Sequence, residues 1–295
     1  MPMIVDPAAA PVTPPTTVTS PEGWLTAVID EPWAGVYLAV DYTAGPAPLG
    51  TAADVRKVLI SRQGDAAAPV AVRSGDLAWA IEGIGQAYDH EAPLGVAVAY
   101  TARPLYADGT WGPTTSLALV VPAPAPQQVR DLWIKSIDEP SLSMRVMLGP
   151  AQGTTSEGRQ DTAALTGTPY MAVAYDTAAA AAEPVSVDVL APDIERFREL
   201  IRSGVLLAQV RPGYQTPDRF FVPGDVGETP TGRLGSTGGY TLTFDIAPIE
   251  RPDTGGQPMI APSWSYDRLA ADFASYDAVA ASYASYLALA TNGAA

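Results

Sequence analysis

The chain has 295 residues, with 17 basic and 32 acidic side chains, a formal net charge of −15 and no cysteine. The absence of cysteine excludes disulfides and thiolate metal sites, and the negative charge argues against nucleic acid or an anionic membrane as a partner. The length allows two domains that each bury a core, and no apolar run reaches the ~18 residues that a membrane-spanning helix needs.

Residues 1–22 predict an extended N-terminal arm. Proline, alanine and threonine dominate this stretch. It lacks the basic residues followed by an apolar core that mark a secretory signal. A segment of this composition is extended or disordered until it docks on another surface.

Residues 23–121 predict an all-β domain. Strands are expected where apolar residues alternate or cluster, and these places are 36–42, 55–60, 70–72, 96–100 and 116–121. Asp108-Gly109 is a hairpin signal before the last of them. Short strands without a helical period indicate an antiparallel sandwich of the immunoglobulin or fibronectin type III kind. The tryptophans of this region are expected to pack in its core or rim, and they are Trp24, Trp33, Trp79 and Trp111.

A proline-rich linker is predicted at residues 122–130. The run Pro122-Ala-Pro-Ala-Pro126 favours a stiff, polyproline-like spacer. We therefore expect it to hold two domains at a defined separation.

Residues 131–252 predict a second β-domain with one packed helix. Its strands are expected at 132–134, 143–148, 170–175, 185–189, 205–210, 220–222 and 240–246. The helix is expected at 193–203, because the apolar residues Ile194, Phe197, Leu200 and Ile201 recur at helical spacing. Gly204 can take the left-handed conformation that closes a helix. Residues 149–168 are polar and contain glycine, which predicts a long loop that either forms an interface or is disordered.

Residues 253–295 predict a linker followed by short helical repeats. Ser-Tyr-Asp occurs at Ser265 and again ten residues later at Ser275, and Ser-Tyr-Leu follows at Ser285, so these three serines are candidate N-caps. Ten residues are not a whole number of helical turns, so short separate helices fit better than one long helix. Four aromatic side chains are expected to contact the body of the chain or another subunit, and they are Tyr266, Phe273, Tyr276 and Tyr283.

No catalytic, cofactor-binding or metal site is predicted. The only histidine, His90, stands in Tyr88-Asp89-His90-Glu91, where neighbouring side chains of a strand point to opposite faces, so we expect a surface or turn histidine. There is no nucleophile elbow and no phosphate-binding glycine loop. A glycosidase pair among the carboxylates stays open, although strand solvation and helix capping account for Asp188, Asp193 and Glu195. We expect a protein that is not an enzyme, and sugar binding by Tyr, Trp and Asp on the sandwich remains an alternative.

Taken together, the sequence resembles the minor tail proteins of long-tailed bacteriophages that infect actinobacteria. Four segments carry the resemblance: YDHEAPLGVAVAY from Tyr88, DLWIKSIDEPSLSMRV from Asp131, ELIRSGVLLAQVRPGY with DRFFVPGDV between Glu199 and Val226, and the C-terminal Ser-Tyr-Asp repeats. Members of that family often carry Thr-Trp-Ala-Asp in these repeats, where this sequence has Ser-Tyr-Asp.

The resemblance implies a fibronectin-like module followed by a domain similar to the distal tail protein. Such a protein is a structural part of the virion, made in the host cytoplasm and located at the tail tip. It forms a ring of itself, with six copies implied and three as the alternative, that joins the tail tube to the hub. The implied partners are the tail tube, tape measure and tail hub proteins, without nucleic acid or membrane insertion. The resemblance also admits the role of the hub itself, and binding of the host surface or its glycans.

Overall fold

The fold is mainly β, as the sequence predicts, with three short α-helices among the described residues. The computed structural model describes residues 16–64, 68–123, 132–149, 153, 158, 160–164, 166, 169, 171–175, 182–214, 217–232, 238–262, 266–283 and 289. No helix in these ranges is both long and apolar enough to cross a bilayer.

The first unit is a sandwich of two antiparallel sheets. Its strands are β1 (Thr17–Thr19), β2 (Leu25–Asp30), β3 (Gly35–Asp41), β4 (Val55–Gly64), β5 (Val70–Ala71), β6 (Ala78–Trp79), β7 (Ile84–Asp89), β8 (Ala97–Tyr106) and β9 (Thr115–Val120). One sheet has the order β1-β2-β3-β7, and the other has the order β5-β4-β8-β9 with β6 also paired to β4. Alternating side chains from both sheets, such as Leu38 and Ile60, are buried in one shared core.

Two features of the first unit differ from the sequence-based expectation. The end of the predicted arm is not free, because β1 pairs with β2 along three residues; residues 1–15 lie outside the described part. Strand β8 continues to Tyr106, six residues beyond its predicted end, and then turns at Gly109, whose φ is +83°. Pro104 interrupts the apolar pattern there, so alternation alone underestimates the strand.

The second unit is built on an eight-stranded antiparallel sheet. The strands and helices of this unit are β10 (Leu132–Ser136), β11 (Met144–Leu148), β12 (Gln160–Ala164), β13 (Met171–Tyr175), β14 (Glu183–Leu190), α1 (Ile194–Arg202), β15 (Leu206–Gln209), β16 (Arg219–Phe221), β17 (Gly227–Thr231), β18 (Gly239–Ile246), β19 (Pro248–Ile249), α2 (Tyr266–Asp272) and α3 (Tyr276–Ser282). Strands β12 and β13 form a separate hairpin. The sheet order is β17-β18-β14-β11-β10-β15-β16-β19.

Helix α1 packs on this sheet with the predicted face. Phe197 and Leu200 are fully buried in a core shared with the strands, and Ile201 lies at its margin. The helix ends where the sequence indicates, because Gly204 has a φ of +108° and reverses the chain into β15. The prediction of this helix and of its buried face is therefore confirmed.

The segment 149–168 is not only a loop, which corrects the expectation. Strand β12 lies inside it and pairs with β13 in a two-stranded sheet over five residue pairs. Every described side chain of β12 is exposed. The strand is held by backbone pairing without burial, so it lacks the apolar alternation by which a strand is recognised in sequence.

The C-terminal repeats form separate short helices where they are described. Helix α3 begins at Ser275, whose hydroxyl accepts a hydrogen bond from the amide of Ala278 at 3.3 Å, so this N-cap is confirmed. The other predicted caps, Ser265 and Ser285, lie outside the described residues. The proline-rich linker falls mostly on residues 124–131, which are also outside them.

Candidate functional site

The two units meet at a buried polar junction centred on Glu91. This carboxylate follows β7 and is 4% exposed. It accepts hydrogen bonds from Arg62 at 3.2 Å, from Arg73 at 2.7 Å and from Arg251 at 2.7 Å. Burial alone would raise the pKa of Glu91, but the three guanidinium groups outweigh it and hold the pKa below its ordinary value. Because Arg251 belongs to the second unit, the ion cluster joins the two units.

Asp89 extends this cluster into the core of the sandwich. Arg62 Nη1 donates to Asp89 Oδ1 at 2.5 Å, and the Tyr100 hydroxyl donates to Asp89 Oδ2 at 2.8 Å. Tyr100 is fully buried, and burial together with the charge of Asp89 raises the pKa of its hydroxyl well above the ordinary value. Each carboxylate thus has a charged or hydroxyl donor, as buried charges require.

Lys135 of β10 is the most completely buried charged group of the junction. Its side chain is 0% exposed, and Nζ donates at 2.8 Å to the carbonyl oxygens of Ala34 and His90. Both acceptors belong to the first unit. Burial lowers the pKa of Lys135 to about 7, although the nearby charge of Asp89 opposes the shift.

His90 lies in a turn, as one of the two expectations has it, but it is buried there, which corrects the expectation of an exposed side chain. Its side chain is 7% exposed, and Nε2 lies 2.9 Å from the hydroxyl of Ser143 in the second unit. Burial, and then the charge of Lys135, lowers the pKa of the imidazole well below its ordinary value. A polar run such as Asp-His-Glu suggests a solvated turn, and only the docking of the second unit buries it. In the described ranges, His, Asp and Glu side chains form no group of three or more that could hold a metal ion.

Further contacts show that the two units pack directly against each other, so these contacts fix their relative position, whatever the linker contributes. Gln209 Nε2 donates to the carbonyl of Ala92 at 2.6 Å, and Arg251 Nη2 donates to that of Ala71 at 2.8 Å. The indole of Trp133 belongs to the core of the first unit. The arrangement is one in which ion pairs and hydrogen bonds satisfy the buried charges of both units. These polar contacts fix the orientation of the two units relative to each other.

The C-terminal aromatic residues divide into two groups. Phe273 and Tyr283 pack against each other, with ring centroids 5.7 Å apart. Tyr276 is 87% exposed on α3 and is available for a partner. Tyr266 begins α2, and its side chain is not described. Among the predicted contact residues whose side chains are described, the structure brings Phe273 and Tyr283 together.

The hairpin of β12 and β13 is an exposed surface that sequence reasoning missed. Met171 and Val173 are 58% and 53% exposed and lie on one face of the hairpin. Directly across from them on β12 stand Ala164 and Thr162. The alternation of Met171, Val173 and Tyr175 was the available signal, and it indicated a strand but not its exposure.

The tryptophans of the sandwich do not all pack as expected. Trp24 is 9% exposed and contacts the Tyr42 ring, and Trp33 is half-buried beside the core. Trp79 and Trp111, however, are 74% and 41% exposed, which corrects the expectation for these two. Sequence shows that a tryptophan lies on a strand, but at an edge or in a turn its face is set by the tertiary fold.

The fold and these surfaces define a class: a two-unit β-protein with a rigid polar junction, a projecting hairpin and short C-terminal helices. Comparison with known proteins does not assign the chain to a more specific class. No family model and no curated protein matches the chain.

Proposed function

We propose that the chain is a non-enzymatic structural component of a bacteriophage tail tip, which assembles as a ring of itself through its second unit. The observation that carries the proposal is the hairpin β12–β13, whose apolar side chains Met171 and Val173 are exposed and not covered by any other described part of the chain. The sequence resemblance to minor tail proteins supplies the particular assembly.

The hairpin needs a partner for physical reasons. A two-stranded ribbon is marginally stable in water unless a third strand or another element packs on it. Here Met171 and Val173, on the same face of the hairpin, are 58% and 53% exposed. The outer edges of β12 and β13 have no neighbouring strand in the described part of the chain, so their backbone groups can pair with another chain.

The C-terminal helices support the same interpretation. Helices α2 and α3 have seven residues each, whereas an isolated helix shorter than about 12–15 residues is marginal in water. Tyr276 points an 87% exposed aromatic ring outward from α3. These helices gain order from contact, as parts of an assembly do.

In a ring, the junction between the two units would place the sandwich of every copy in the same position. Because Glu91 and Lys135 tie the sandwich to the second unit, each copy in a ring carries its sandwich at the same angle. We expect six copies, with three as the alternative, joined head to tail so that unlike patches meet and the ring closes. Its neighbours in the virion are then the tail tube, tape measure and tail hub proteins.

Native mass spectrometry of the full-length protein, across a concentration series, tests the proposal. The wild type should form a closed oligomer as concentration rises, and the double variant Met171→Asp, Val173→Asp should remain a monomer. Ala172→Asp is the matched control, since Ala172 is exposed on the same strand but faces the opposite side.

Two results would count against ring assembly through the hairpin. One is a wild type that stays monomeric at every concentration. The other is a double variant that assembles as well as the control. Electron microscopy of intact virions with an antibody to the chain tests the location separately, and absence of the chain from particles would exclude the tail tip.

A further inference from the structure

A row of four side chains crosses the outer face of the five-stranded sheet in the sandwich. Trp79 of β6 stands opposite Lys57 of β4, Lys57 stands opposite Leu105 of β8, and Leu105 is bridged to Trp111. Residues directly opposite one another in antiparallel strands project on the same face. The two indoles therefore lie at the two ends of one row.

Both indoles are exposed and held in position. Lys57 Nζ lies 4.9 Å from the ring centroid of Trp79, and the guanidinium of Arg103 lies 5.1 Å from that of Trp111. Arg103 is itself fixed, because its Nε donates to the carbonyl of Gly112 at 3.2 Å. In a cation–π contact of this kind the cation lies over one face of the ring, orients the ring and leaves the other face open. Trp79 remains 74% exposed and Trp111 41% exposed.

The surface around the row favours a sugar over a protein as its ligand. Beyond the row, this face carries Ser61, Thr101, Ser116 and Ala118, and its larger apolar side chains Leu59 and Val120 are half-buried. Protein interfaces are centred on one continuous apolar patch, whereas the exposed aromatic surface here is divided between two indoles at the ends of the row. A pyranose ring instead stacks its C–H face on a single aromatic ring and directs its hydroxyl groups to polar neighbours.

The length of the row indicates a ligand of several sugar units. Three steps between neighbouring strands, at about 4.8 Å each, separate the two tryptophans by about 14 Å. One monosaccharide does not span that distance. An extended oligosaccharide or polymer lying across the strands reaches both rings.

The charge of the row indicates that the polymer is acidic. Lys57 and Arg103 form no ion pair with any described residue, although the chain as a whole has a net charge of −15. Two cations at an exposed site on an acidic protein attract carboxylate or phosphate groups. We infer that this sheet face, defined by Trp79, Lys57, Leu105, Arg103 and Trp111, binds an acidic polysaccharide. This inference does not depend on ring assembly.

Affinity electrophoresis of the full-length protein tests it. Native gels contain polygalacturonate, alginate or hyaluronate, and a parallel gel contains highly methyl-esterified pectin, in which the galacturonate charge is removed. Wild-type protein should be retarded by at least one acidic polymer and less by the ester. Trp79→Ala and Trp111→Ala should each weaken binding about tenfold, the usual scale for loss of one stacked ring. Lys57→Met should weaken binding to the acidic polymer more than it weakens binding to the ester, because it removes a charge that only the acidic polymer uses as well as the contact that orients Trp79.

Ile81→Ser is the matched control, because Ile81 is 78% exposed nearby but outside the row. It should bind as the wild type does, and all variants should keep the wild-type melting temperature. Absence of retardation by every acidic polymer would overturn the inference, as would equal retardation of the wild type and both tryptophan variants. If Trp79→Ala and Ile81→Ser instead abolish an association with a protein while no polymer binds, the surface is a protein interface and the inference is wrong.

Discussion

Replacing Lys135 with methionine should change how the stability of the protein depends on pH. The lysine is fully buried, and its pKa falls from 10.5 to about 7 in the folded protein. The unfolded chain keeps the ordinary value, so between pH 7 and pH 10.5 the unfolded state binds a proton that the folded state does not. Stability therefore rises with pH in this window, and the cost of burying the charge is present in full below pH 7.

The magnitude follows from the two pKa values. One pKa unit corresponds to 1.36 kcal/mol, so the burial cost is about 5 kcal/mol at acidic pH and should fall by about 2 kcal/mol between pH 7 and pH 9. The methionine variant lacks this titration. It also leaves the carbonyls of Ala34 and His90 without their donor, and because this loss is the same at every pH it does not alter the slope.

Other buried groups titrate outside the window. His90 has a lowered pKa, so its contribution changes below the ordinary value of 6.5. Tyr88 and Tyr100 have raised pKa values, so theirs changes only above the ordinary value of 10. The interval from pH 7 to pH 9 thus isolates Lys135 among these groups.

Urea unfolding followed by tryptophan fluorescence at pH 7, 8 and 9 measures the effect. The free energy of unfolding of the wild type should rise by about 2 kcal/mol relative to that of Lys135→Met over this interval. Lys57→Met is the control, because it removes a lysine that solvent reaches. Parallel pH profiles for the wild type and Lys135→Met would refute the argument, since they would mean that the buried ammonium does not lose its proton.

Three further predictions concern stability. Phe197→Ala or Leu200→Ala should each cost about 2–5 kcal/mol in urea unfolding, because both side chains are fully buried, whereas the exposed Glu199→Ala should cost less than about 0.5 kcal/mol. Glu91→Gln should destabilise the protein by about 3–5 kcal/mol at pH 7, since three arginines lose their common carboxylate. Because the pKa of Glu91 is lowered, the difference in unfolding free energy between the variant and the wild type should shrink as pH falls through that pKa. A difference that stays constant with pH would contradict this role of Glu91. Gly204→Ala should lower the melting temperature, because φ is +108° and the added Cβ would meet Asp138 at 2.9 Å; an unchanged melting temperature would show that this turn relaxes freely.

The sequence by itself determined the helices and strands in which the spacing of the apolar residues shows which face is buried. Helix α1 was predictable because Ile194, Phe197 and Leu200 recur at helical spacing and Gly204 follows them. Strand β18 was predictable because Leu242, Phe244 and Ile246 alternate with polar residues. In both cases the periodicity of the apolar residues is the physical cause of the packing, since it places one continuous apolar face against the core.

Only the tertiary structure decided which polar residues are buried and which apolar ones are exposed. Lys135 is buried because the carbonyl of Ala34, 101 residues earlier in the chain, comes to meet it. Trp79 is exposed because it faces outward on the edge strand β6, and β12 forms by backbone pairing that needs no apolar pattern. Periodicity reports which residues share a face, but whether that face meets solvent or another element depends on contacts between distant parts of the chain.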